Sequence, residues 1–189
     1  KLLHLMVHSV YSETEVFLRE LISNSADACD KLRYAAITEP GLLGDNADLA
    51  ITVTVYKENN QLRVAYNAIG MSHDELVENL GTIARSGTQR FLQALEEKPD
   101  DLRLIGQFGV GFYSAFLVAD RVEVLSQAAG SEEAWRWSSD AESGFTIERS
   151  ERAGRGTDVI LHLKEDQGEY LDDYRLRQLV RNYSDFVPH

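Results

Sequence analysis

Apolar and polar positions in this chain repeat first with a helical period and later with a period of two. Leu18, Leu21, Ile22 and Cys29 make the packing side of a helix that the capping box Ser12-Glu13-Thr14-Glu15 opens and that runs through about Tyr34. Pro40 to Gly44 breaks the chain into a loop. Ile51 to Tyr56 alternates as a strand, Glu58 to Asn60 turns, and Leu62 to Tyr66 is the hairpin partner. Ala68 to Met71 ends that strand, and a second capping box, Ser72-His73-Asp74-Glu75, starts a short helix to about Leu80. Gly81 to Gly87 reads as a loop, Gln89 to Glu97 as a helix, and Pro99-Asp100-Asp101 closes it. The glycine-rich run Ile105 to Gly111 leads into an apolar helix, Phe112 to Val118. Four strand-like segments follow, Arg121–Ser126, Ala134–Ser138, Phe145–Arg149 and Thr157–Leu163, and then a last helix from Tyr170 to Tyr183. Helices lead, strands cluster later, and connections have hairpin length. The pattern predicts an α+β fold with helices on one face of a mostly antiparallel sheet. The lack of regular β-α-β alternation argues against a doubly wound sheet.

The 189 residues suffice for one domain with a hydrophobic core. No apolar run approaches a membrane span, so the chain reads as soluble, with no membrane partner. Leu2 to Val7 is too short for a signal peptide and lacks a small-residue cleavage site. The single Cys29 rules out an internal disulfide and fits a reducing, cytoplasmic compartment. Scattered histidines and one cysteine make a structural zinc site a poor reading. The net charge of −12, from 19 basic and 31 acidic residues, repels phosphate polymers and anionic lipid, so no nucleic-acid partner is expected. A polyanionic small molecule would have to be held by local devices, namely backbone amides, helix N-termini and a metal.

Four polar residues within the first helix have the spacing that such a site needs. Glu20, Asn24, Asp27 and Lys31, spaced by four, three and four, share one helical face. That face is either solvated or a site. A partly buried Glu suits general-base chemistry, and an Asn oxygen is a hard neutral ligand for Mg²⁺. Gly106-x-x-Gly109-x-Gly111 lets main-chain amides close on a phosphate, or is a flexible turn. It matches neither the dinucleotide fingerprint nor the P-loop. Asn67 to Met71 either brings backbone close to a flat ring or is an ordinary strand-to-helix turn. Thr157 follows a glycine turn, where its hydroxyl meets a ligand or simply suits a strand. His4, His8, His73, His162 and His189 have no ligand spacing and read as structural or surface residues.

Four runs together resemble one family: Phe17 to Asn24, Asn79 to Thr88, Ile105 to Ser114 and Gly156 to Asp166. They look like the nucleotide-binding domain of the heat-shock protein 90 chaperones, in the bacterial form, within the GHKL ATPase superfamily. The resemblance covers essentially the whole chain in order. It implies a two-layer sandwich of about eight strands and helices, with ATP or ADP between the layers under a lid from roughly Gly81 to Gly109. It implies that Glu20 is the general base for the attacking water and that Asn24 coordinates Mg²⁺. Asp27 and Lys31 would line the ribose and nucleotide edge. Met71, Leu80 and Phe112 would wall base and sugar, and Asn79 would bond the ribose or phosphate region. Ser86, Gly87, Gln107, Gly109, Val110 and Gly111 complete the nucleotide-binding set, with Gly106 to Phe112 offering amides to the phosphates. Thr157 would join the network at adenine.

One position departs from the family. The acid that accepts the adenine amino group is replaced by Tyr66, in Val64-Ala65-Tyr66-Asn67-Ala68-Ile69-Gly70-Met71. A lost charged hydrogen bond of about 1.5–3 kcal/mol weakens binding roughly 10–150-fold. Two functions are therefore carried forward: the N-terminal ATPase domain, residues 1–189, of a protein-folding chaperone, and a nucleotide-impaired interaction module. A histidine-kinase catalytic domain or a mismatch-repair ATPase shares the implied fold. The first lacks its phosphoacceptor domain here and the second sits badly with −12. The family implies client proteins, co-chaperones and a homodimer through a C-terminal domain, with a middle-domain Arg completing hydrolysis. The isolated domain is expected to be a monomer with little turnover.

Overall fold

A computed structural model of the chain describes residues 15–44, 46–81, 110–141 and 143–184. Helix α1, Val16–Thr38, buries Phe17, Leu18, Leu21, Ile22, Ser25, Cys29 and Leu32 at intervals of one, three and four residues, the period of one helical face. It continues past the expected end at Tyr34 because Ala35 and Ala36 favour helix and nothing interrupts it before Pro40. A residue preceding proline is driven out of the helical region, and Glu39 sits at φ −130° and ψ 75°. Pro40–Leu43 then forms a 3₁₀ turn. Of the first capping box, residues 12–14 lie outside the described residues, and Glu15 precedes the helix without a side-chain cap.

Six antiparallel strands form one sheet: β1 Ile51–Tyr56, β2 Gln61–Tyr66, β3 Ala119–Gln127, β4 Ala134–Ser139, β5 Phe145–Ser150 and β6 Gly156–Leu163. Their order is β1-β2-β6-β3-β4-β5. The sheet thus counts six strands among the described residues, against about eight implied by the family resemblance. Leu62 and Val64 of β2, Val122 and Val124 of β3, Trp137 of β4, and Val159 and Leu161 of β6 are all buried, on the face that meets the helices. Phe112 packs edge-on against Tyr113 and Trp137, and Phe17 of α1 packs edge-on against Tyr170, 4.9 Å between centroids. The opposite face carries Gln61, His162, Glu123 and Arg136, joined side chain to side chain. One buried face and one polar face is the usual state of an antiparallel sheet covered by helices on one side.

Three helices are shorter than their sequence pattern suggests. Helix α2, His73–Leu76, has the expected capping box at both ends of the Ser72–Glu75 pair, but the chain then widens into a π turn, Val77–Gly81. Helix α3, Val110–Tyr113, tightens into a 3₁₀ turn, Ser114–Leu117, because Val118 N–H folds back to Ala115 and β3 begins at the next residue. The last helix, α4, spans Asp173–Ser184. Glu165–Leu171 before it forms 3₁₀ turns, and the Asp172 carboxylate accepts from Tyr174 N–H at 2.9 Å to start the helix. The expected helix 89–97, the proline break at 99–101, the glycine run 105–109 and the lid lie outside the described residues, apart from Gly81.

Candidate functional site

Helix α1 lies across β1 and β2 and touches α3. Its four polar residues divide by burial. Glu20 and Asn24 are half-buried, whereas Asp27 and Lys31 are exposed. Only 21% of the Glu20 side chain meets solvent, and its carboxylate is 3.6 Å from the Arg19 guanidinium. Burial pushes the Glu20 carboxyl above its ordinary value, and the nearby Arg19 charge opposes the shift without cancelling it. Partial loss of solvent also raises Asp27, against the pull of Lys31 one turn on. Ser25 turns inward and donates to Leu21 carbonyl at 2.7 Å.

The sheet beneath α1 carries a row of hydroxyls. Tyr66 lies opposite Thr157, and Thr157 opposite Ser126, in the registers of β2–β6 and β6–β3. Directly paired residues point to the same face, so the three side chains stand in line. Thr157 and Ser126 hydroxyls are 2.7 Å apart, and Tyr66 stands opposite Thr157. Ser126 Oγ donates to Gly156 carbonyl at 3.2 Å and accepts from Met71 N–H at 2.8 Å. With Ser126 donating to Gly156, Thr157 donates to Ser126. Tyr66 is only 7% exposed. Burial pushes its phenol up to about 12, so it is neutral throughout the physiological range. The Cys29 thiol of α1 adds to that shift, which places the phenol between helix and sheet.

Of the expected wall residues, Met71 meets this row, through its N–H on Ser126. Gly70 has φ +68°, and a Cβ there would stand 1.9 Å from Gln127 carbonyl, so this turn lies on β3 as only glycine allows. The next residue, Met71, is half-buried, with Asn79 Nδ2 3.9 Å from its sulfur. Leu80 and Phe112 are buried, and Tyr113, beside Phe112, donates its hydroxyl to the Leu80 carbonyl. Val110 and Gly111 open α3. Ser86, Gly87, Gln107 and Gly109 lie outside the described residues. Sequence reasoning missed Ser126, although strict alternation from Val122 and Val124 puts it on the same face.

A metal cage made by the protein alone is not present: among the described residues no three His, Cys, Asp or Glu side chains converge. Mg²⁺ commonly takes one or two protein oxygens and completes its shell with substrate phosphates and water. The half-buried amide of Asn24, one turn from Glu20 on α1, fits that donor set.

Residues 11–154 match the family described as histidine kinase-, DNA gyrase B-, and HSP90-like ATPase. Over essentially its whole length the chain is similar to proteins named "Chaperone protein HtpG": 57% identical to that of Myxococcus xanthus, 55% to that of Bordetella avium and 53% to that of Rhodospirillum rubrum. It covers 100%, 99% and 99% of its own residues in these comparisons but spans only 29% or 30% of each relative's length.

Proposed function

Because the chain belongs to the histidine kinase-, DNA gyrase B- and HSP90-like ATPase family, we propose that residues 1–189 form the N-terminal ATP-binding domain of an HtpG-type chaperone. The observations that support this reading are the half-buried Glu20 and Asn24 on α1 and the Tyr66–Thr157–Ser126 row on the sheet that α1 packs against. In this reading ATP or ADP lies between those two surfaces. Asn24 would hold Mg²⁺, which would supply charge neutralisation at the phosphates. Glu20 orients water and takes its proton as the water oxygen attacks the γ-phosphorus and the bond to the β-phosphate oxygen breaks. A carboxyl raised by burial is a better base near neutrality than an ordinary one. Asp27 and Lys31 flank the nucleotide edge, Asn79 the ribose, and Met71, Leu80 and Phe112 the base and sugar. Ser86, Gly87, Gln107, Gly109, Val110 and Gly111 belong to the phosphate side.

In the longer protein, hydrolysis times a cytoplasmic clamp acting on client proteins with co-chaperones, as a homodimer joined through a C-terminal domain. The relatives' printed name supports the chaperone part of this reading. Glu20→Ala tests the mechanism: in the full-length chaperone, steady-state phosphate release falls at least about 10²-fold while nucleotide affinity is kept. Undiminished turnover overturns the assignment.

A second reading is favoured by the burial of Tyr66 opposite Thr157. Here the phenol fills the base end, and the chain acts by protein interaction with little nucleotide bound. Calorimetry with Mg²⁺ and ADP separates the two. Micromolar binding rejects the second reading. Undetectable binding, restored at least about tenfold by Tyr66→Asp, supports it.

A further inference from the structure

The turn that delivers Thr157 to the hydroxyl row is fastened by a residue outside every role assigned so far. Arg155 is half-buried and extends its guanidinium toward the loop that follows α1. Its Nε donates to Asn67 carbonyl at 3.0 Å, one terminal nitrogen to Leu43 carbonyl at 2.6 Å, and the other to Asn46 carbonyl at 2.6 Å. Three carbonyls from two main-chain segments remote in sequence thus converge on one planar fork. Asn67 reinforces the junction: its amide donates to Asp48 carbonyl at 2.7 Å, and its side-chain oxygen accepts from Ala50 N–H at 2.7 Å.

The junction lies next to both walls of the base end. Asn67 directly follows Tyr66 and leads into Gly70 and Met71. Arg155 precedes Gly156 and Thr157. Gly156 has φ +124°, and a Cβ there would meet Tyr66 carbonyl at 2.3 Å, so the two walls already touch at this point. Arg152 braces the same turn from behind, donating to Gly154 and Arg155 carbonyls and to the Asp158 carboxylate at 3.1 Å. The Arg155 charge also reaches the Cys29 thiol of α1, on the other side of Tyr66.

We propose that Arg155 is a positioning residue for nucleobase recognition: by holding Asn67 to the Leu43–Asn46 loop it sets the separation between the Met71 wall and the Thr157 wall. The inference rests on the nucleotide-binding reading above. Charged hydrogen bonds to carbonyls are stronger than neutral ones, and three from one rigid fork fix a distance that a single flexible contact would not. Losing them loosens the base end and leaves the Glu20–Asn24 end, carried on α1, in place.

The test is base discrimination, measured by calorimetry with Mg²⁺ on the 189-residue chain and on its Tyr66→Asp variant. Each is compared with and without Arg155→Ala, using ATP, GTP and pyrophosphate. Arg155→Ala should lower the preference for ATP over GTP by about tenfold while leaving pyrophosphate affinity unchanged. Arg155→Lys should recover part of that preference, since an ammonium reaches only some of the three carbonyls. A merely structural role predicts equal losses for all three ligands, or a lower melting temperature with an unchanged ATP-to-GTP ratio, and either result overturns the proposal. If neither starting chain binds any nucleotide, the site reading itself fails and takes the proposal with it. If both nucleotides bind and Arg155→Ala leaves their ratio intact, the proposal alone fails.

Discussion

Glu123 shows how a buried charge is kept on the face of the sheet away from α1. Burial by itself would push its carboxyl up. Hydrogen bonds from His162, at 2.7 Å, and Arg136, at 2.8 Å, with the charges of Arg136 and Arg121, more than offset that and hold it below the usual carboxylate range. A carboxyl that folding depresses contributes stability that is fully present above its unfolded value, near 4.5, and is lost as pH falls through the folded value. Glu123→Gln should therefore cost about 1.5–3 kcal/mol at pH 7. The deficit should shrink in thermal melts taken progressively below pH 4.5, as the parent protonates the same site. A deficit that stays constant down to pH 2 would remove the ion cluster as its cause. Tyr66 is the opposite case: a buried group that stays uncharged and contributes through its shape.

At the level of elements, the capping pair around α2 is the clearest local device. Ser72 Oγ accepts from Glu75 N–H at 3.2 Å, and the Glu75 carboxylate accepts from Ser72 N–H at 3.1 Å. Ser72→Ala should destabilise that end of the helix by about 1 kcal/mol. Because α2 is a single turn, the effect should appear as faster hydrogen exchange at His73–Leu76, with the exchange of β3 and β6 unchanged. This cap was legible because a capping box is a four-residue signal. All six strands were legible for a similar reason: alternation is local, and each observed strand matches its segment to within two residues at either end. The π turn after Leu76 and the 3₁₀ turn after Tyr113 were not, because they depend on where the chain must go next. Arg155 was illegible for a stronger reason. Its three acceptors lie 88, 112 and 109 residues away, and a main-chain carbonyl has no letter in the sequence. Tyr66 was visible only as a departure from a family pattern. Its burial and its place opposite Thr157 needed the register of β2 on β6.

Across the whole molecule, one sheet carries a helix layer with the candidate chemistry on one side and an ion cluster on the other. The strand order also dictates a history. The β1–β2 hairpin and the β3–β4–β5 meander are each built from near neighbours in sequence, yet among the described residues only β6 joins them. That strand is the last to leave the ribosome, and its residue His162 pairs with Gln61, a hundred residues earlier. Two half-sheets with bare inner edges must therefore wait for Gly156–Leu163 before they can close. Such long-range closure slows folding and prolongs the exposure of unpaired strand edges. By this topology the moment at which the inner edges are covered is set by the position of one strand in the sequence, not by the proximity of the others.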